Sequence, residues 1–121
     1  MDVRQGTGST VLLNLKGNDV RERTGLTVLL NIQGDNVRER TGLKTILSVS
    51  GNNIRKGTGL ATLCNISGND IREGSGIKVL FNISGNNIRK GTGITVLYNT
   101  TGRLNTPQLA AVLYALGEIR T

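Results

Sequence analysis

Asn52-Asn53-Ile54-Arg55-Lys56-Gly57-Thr58-Gly59-Leu60-Ala61-Thr62-Leu63-Cys64-Asn65-Ile66-Ser67-Gly68 is one complete unit of a pattern that the chain runs through six times. Its closing glycine recurs at Gly17, Gly34, Gly51, Gly85 and Gly102, at a constant spacing of 17 residues. No insertion or deletion disturbs the register. Such strict periodicity belongs to stacked or symmetric architectures, in which each unit must present the same edges to its neighbours. The chain therefore divides into residues 1–102, six tandem β-repeats, and residues 103–121, a C-terminal segment of different character.

Each unit carries two turn signals. One is Gly-Asn-Asn or Gly-Asn-Asp, as at Gly51-Asn52-Asn53 and Gly68-Asn69-Asp70, rich in residues that tolerate left-handed backbone. The other is a Thr-Gly or Ser-Gly pair, as at Thr24-Gly25 and Ser75-Gly76. Between them lie a short strand around Ile54-Arg55 and a longer one such as Leu26-Thr27-Val28-Leu29-Leu30-Asn31-Ile32. The β-branched content favours strand, and the glycines stand too close together for helix. Alternation within the longer run predicts that Leu26, Val28, Leu30 and Ile32 face a core.

Three columns stand out when the units are aligned. Leu12, Leu29, Ile46, Leu63, Leu80 and Leu97 fall on the face that alternation leaves outside. They read either as an exposed assembly ridge or as a row turned inward by a bend or bulge. Asn14, Asn31, Asn65, Asn82 and Asn99, with Ser48 in the third unit, suit a structural ladder in which amides of stacked units bond to one another. Arg4, Arg21, Arg38, Arg55, Arg72 and Arg89 place one guanidinium in every unit. With Asp2, Asp19, Asp70, Glu22, Glu39 and Glu73 one or two positions away, they read as an outward ion-pair stripe. The other reading is a candidate anion-binding track. Lys56 and Lys90, which replace the acidic neighbour in units four and six, favour it.

Composition narrows the chemistry. Fifteen Lys and Arg against eight Asp and Glu give a net charge of +7, a bias toward anionic partners. There is no His, which removes the commonest general base and metal ligand, and a lone Cys cannot build a zinc site. The carboxylates are scattered in turns, and no Gly-Lys-Ser/Thr phosphate loop follows the glycines. Three aromatics, Phe81, Tyr98 and Tyr114, are too few to form a base-stacking platform. No enzyme, catalytic residue, cofactor or metal is expected. Cys64 shares a column with Leu13, Leu30, Leu47, Phe81 and Tyr98 and reads as a small apolar filler. Met1-Asp2-Val3-Arg4 enters the first unit without an apolar leader, and no run is long enough to span a membrane.

Beyond Gly102 the pattern fails, and Thr106-Pro107 opens a helix with Thr106 as its cap. Leu109, Val112, Leu113 and Leu116 form one apolar stripe, which fits a lid over the last unit or a contact between chains. No equivalent covers the first unit, so a bare strand edge is expected at the N-terminus.

Three all-β architectures accommodate these features. A β-solenoid with one coil per unit is favoured by the alignable columns; a trimeric β-fibre and an antiparallel barrel or meander with one hairpin per unit are the alternatives. In general type the pattern resembles bacterial or phage β-solenoids and fibre shafts, which implies no activity. The expected function is a structural subunit that self-assembles into an oligomer or filament, at a cell surface or in a virion rather than in the cytoplasm. The alternative is a binding module that presents the Arg track to a polyanion or acidic glycan.

Overall fold

In the computed structural model, which describes residues 1–121, the six units are six β-hairpins joined into one closed antiparallel barrel of twelve strands. The short strands are β1 (Asp2–Gln5), β3 (Asp19–Glu22), β5 (Asn36–Glu39), β7 (Asn53–Lys56), β9 (Asp70–Glu73) and β11 (Asn87–Lys90). The long strands are β2 (Val11–Lys16), β4 (Val28–Gln33), β6 (Thr45–Ser50), β8 (Thr62–Ser67), β10 (Val79–Ser84) and β12 (Val96–Thr100). The antiparallel barrel thus replaces the expected solenoid. The reason lies in the Gly-Asn turns. Lys16 pairs with Asp19, and Gln33 with Asn36, leaving two-residue loops that reverse the chain. Gly17 and Gly34 stand at φ +61° and +60°, the first position of a type II′ turn, which β-carbon-bearing residues rarely occupy. A solenoid coil has no place for such a reversal.

The first unit has no bare edge. Val3 pairs with Thr100 and Arg4 with Asn99, so β1 and β12 close the ring and remove every open strand.

Around the ring, each short strand pairs in continuous register with the long strand that precedes it and across a bulge with the long strand that follows. The register passes from Val20–Leu30 to Arg21–Val28, so Leu29 is the extra residue, and the same shift recurs at the equivalent pairings of other units. The bulge turns both Leu29 and Leu30 toward the interior, which breaks the simple alternation expected of the long strand.

Three apolar columns face inward. Val3, Val20, Val37, Ile54, Ile71 and Ile88 are fully buried, and Leu13, Leu30, Leu47, Cys64 and Phe81 nearly so. The third column is uneven: Leu15, Ile32 and Val49 are buried, whereas Ile66 and Ile83 are half-buried. At its sixth position stands Thr100, whose hydroxyl donates to the Gly102 carbonyl at 2.6 Å.

Twelve strands at about 4.8 Å spacing enclose a circle of roughly 9 Å radius, and strand tilt widens it. Wall side chains alone do not fill such a lumen. The filler is α1 (Thr106–Ala115), which contacts β4, β5 and β6. Leu109, Ala110, Ala111, Val112 and Leu113 are all buried. Five consecutive positions at 100° intervals cover the whole circumference of a helix, so α1 is surrounded by protein rather than laid on a surface. It is a plug inside the barrel and not the expected lid. Its cap is Asn105 rather than Thr106. Asn105 Oδ1 accepts from Gln108 N and Gln108 Oε1 from Asn105 N, both at 2.9 Å, which satisfies two terminal donors.

Candidate functional site

The two ends of the barrel differ in chemistry. At one end lie the tight Gly-Asn and Gly-Asp turns, together with Asp2, Asp19, Asp35 and Asp70. α1 enters there, and beside its first turn is a cavity of about 260 Å³ lined in part by Ile66, Ile71, Ile83, Asn86, Arg103 and Leu109. The cavity lies on the side away from β4–β6, which accounts for the incomplete burial of Ile66 and Ile83.

At the other end are six longer loops, typified by Glu22-Arg23-Thr24-Gly25-Leu26-Thr27. Each is folded by its own backbone. Glu22 N donates to Thr27 O at 2.9 Å, Gly25 N to Glu22 O at 3.0 Å, and Arg23 N back to the bulged Leu12 O at 3.0 Å. The loops are then fastened by the Asn column. Asn82 Nδ2 donates to Gly91 O at 2.7 Å and Gly93 O at 3.1 Å, and Asn65 and Asn99 make the equivalent pairs. Asn14 and Asn31 bond to the Arg23 and Arg40 carbonyls. These asparagines therefore staple loops to the neighbouring strand and do not form the amide-to-amide ladder expected of a stack.

The loop tips were expected in the core and lie in solvent. Leu26, Leu43, Leu60, Ile77 and Ile94 are each between 81% and 84% exposed. Ser9 takes the sixth position, and its polarity in the first unit is the one sequence signal that this column faces water. By contrast, Leu12, Leu29, Ile46, Leu63, Leu80 and Leu97 are half-buried and pack against the core at the bulges. The apolar ring on the surface is thus at the loop tips, three positions before the column proposed as a ridge.

Six cations, Arg23, Arg40, Lys44, Lys56, Lys78 and Lys90, share these loops and their strand ends with three carboxylates, Glu22, Glu39 and Glu73. One ion pair forms among them, Lys78 to Glu73 at 3.7 Å. Arg23 and Arg40 hold φ of +50° and +48°, where the other units have glycine. A side chain in that region costs on the order of 1–2 kcal/mol.

Just behind the loops, the Arg column forms a girdle on the outer wall. Successive members stand two strands apart, about 10 Å, so the close stacking expected in a solenoid does not arise. Arg4 reaches Asp2 at 4.0 Å and Arg21 reaches Asp19 at 3.9 Å; Arg38, Arg55, Arg72 and Arg89 make no ion pair. Each Arg faces the stapling position across the hairpin or ring, as in Arg21 with Asn14 and Arg55 with Ser48. All six Nε atoms are covered and unpartnered, the stems lying along the wall with their charged ends outward. The girdle is therefore not a fully paired stripe.

Two groups, Cys64 and Tyr98, have displaced pKa values, and burial is the leading cause for each. Burial, with a smaller push from Glu73, raises the Cys64 thiol to about 11. Burial and a 2.8 Å hydrogen bond to Glu118 raise the Tyr98 phenol to about 12. No cluster of metal-ligating side chains is present, and no helix is long and apolar enough to cross a membrane.

Six hairpins around a common axis, with loops spread at one end, match a family model described as a 6-fold beta flower protein over residues 2–113. The chain belongs to this family. The match takes in all twelve strands and most of α1, so the beta flower comprises the plugged barrel and not the hairpins alone. No curated protein and no solved structure matches the chain. The family places this beta flower among structural β-repeat proteins.

Proposed function

We propose that this beta flower is a non-enzymatic docking scaffold, whose long-loop end meets an anionic partner. The observation that supports this most is the one-sided charge. Six loop cations, backed by the Arg girdle, of which only Arg4 and Arg21 are ion-paired, stand at the long-loop end against Glu22, Glu39, Glu73 and Glu118, whereas at the tight-turn end four aspartates face Lys16, Arg103 and the N-terminal ammonium. Charge of one sign concentrated on one face steers an oppositely charged partner and fixes its orientation. The strained Arg23 and Arg40 add to this, because glycine would serve the loop better and the basic side chains are retained at a conformational cost.

Self-assembly through strand edges has lost its support with the closure of the ring. End-to-end stacking of barrels keeps one observation in its favour, the unequal charge of the two ends, basic at the long loops and nearly balanced at the tight turns. Light scattering across a dilution series separates the two readings, with heparin binding measured at rising salt. Docking predicts a monomer whose heparin affinity falls steeply with salt. A mass that grows with concentration supports stacking, and a monomer indifferent to heparin overturns the docking reading.

A further inference from the structure

We propose that the long-loop end docks on the surface of an anionic lipid bilayer, with Leu26, Leu43, Leu60, Ile77 and Ile94 entering the interfacial layer. This inference rests on the anionic-partner reading and names the partner. Its starting point is that the exposed aliphatics and the cations occupy the same five of the six loops, the first loop having neither. A polyanion such as a nucleic acid or sulfated glycan accounts for the cations but offers nothing to five Leu and Ile tips. A second copy of the same end accounts for the tips but sets cation against cation.

The spacing of the tips also favours lipid. They stand at equivalent positions of successive hairpins, so they ring the barrel mouth at intervals of about 10 Å. Each is a separate projection rather than part of one smooth patch. A protein interface buries its apolar residues in a continuous, close-packed core. A fluid interface accepts isolated side chains one by one, while basic residues just behind them meet the headgroups. Arg23, Arg40, Lys44, Lys56, Lys78 and Lys90 lie within four residues of a tip, in the position this requires.

The loops carry no strand hydrogen bonds beyond the tips that insertion would break. Their backbone groups are closed by the internal bonds already described, including the Asn staples. Apolar tips on self-satisfied loops enter an interface without exposing unpaired donors.

The test is co-sedimentation of the full chain with vesicles of phosphatidylglycerol in phosphatidylcholine and with pure phosphatidylcholine vesicles, with heparin binding measured in parallel. The variant is Leu43→Ser with Leu60→Ser, two exposed positions whose loss removes no packing; circular dichroism verifies its fold. The expected result is binding to the anionic vesicles, weakened about tenfold in the variant, with heparin affinity unchanged. Equal vesicle binding by both proteins, or heparin binding without vesicle binding, overturns the lipid assignment and leaves the anionic-partner reading standing. Equal binding to both vesicle types with no heparin binding overturns the charge argument, and binding to none of the three overturns both readings.

Discussion

The Asn99 side chain donates to the Gly6 carbonyl at 2.8 Å across 93 positions of sequence, and Asn82 makes the same bond to Gly91 nine positions away. One device therefore fastens five of the six loops to their neighbours and also fastens the last hairpin to the first. Replacing Asn82 or Asn99 by Ala should cost about 1–2 kcal/mol, since two loop carbonyls lose their donor. Asn99→Ala should also raise hydrogen exchange in β1 and β12, the closing pair. Equal exchange in both variants would show that closure depends on the strands alone.

Ser48 is the missing staple. It occupies the Asn position opposite Arg55, and the Gly57 and Gly59 carbonyls receive no side-chain bond. Ser48→Asn should stabilise the protein by about 1 kcal/mol, read as a higher denaturant midpoint at constant slope. A lower midpoint would mean that the third unit has no room for the amide.

Arg23→Gly and Arg40→Gly should each raise the melting temperature, by relief of about 1 kcal/mol of left-handed strain. The control is Gly74→Arg, which places a side chain at φ +55° and should lower it by a similar amount. The two arginine variants are also expected to bind anions less well, so stability and binding should move in opposite directions.

Leu113 is wholly buried within the barrel. Leu113→Ala should cost about 2–5 kcal/mol, the usual range for a core leucine, because the closed wall cannot collapse onto the space. A loss below 1 kcal/mol would place α1 at the periphery.

Cys64 should resist iodoacetamide in the native protein near pH 8 and react once the chain is unfolded. Its folded pKa of about 11 exceeds the ordinary 9.0, so the native state holds the proton more tightly. The same sign applies to Tyr98, raised from 10.0 to about 12. Each group's stabilisation is complete below its unfolded pKa and is lost as pH rises through its folded one. Stability should therefore begin to fall above about pH 9 and continue to fall toward pH 12. A stability profile flat over that window contradicts both assignments.

The number of units and the approximate places of the two strands in each were legible in the sequence, because the glycines recur at fixed spacing. The architecture was not, and the decisive detail was small. Asn69 and Gly68 read equally well as the corner of a coil or as a two-residue reversal until the backbone angle of Gly68 is known. The bulge hid the second feature. Period-2 reading assigned Leu29 outward and Leu26 inward, whereas the extra residue draws Leu29 toward the core and leaves Leu26 on the loop. For α1, spacing picked out Leu109, Val112, Leu113 and Leu116, but the intervening Ala110 and Ala111 are buried too, and alanine carries little hydrophobic signal. The Arg column was visible at once. Its girdle form and wide spacing follow only from ring closure.

Near-identical 17-residue units invite recombination, which readily adds or drops a copy. Removing or adding one hairpin changes the barrel radius by about 1.5 Å, enough to crowd the buried side chains of α1 or to leave a void beside them. The helix is thus a gauge built into the molecule: its girth matches the bore of six repeats, and a miscounted product should be less stable.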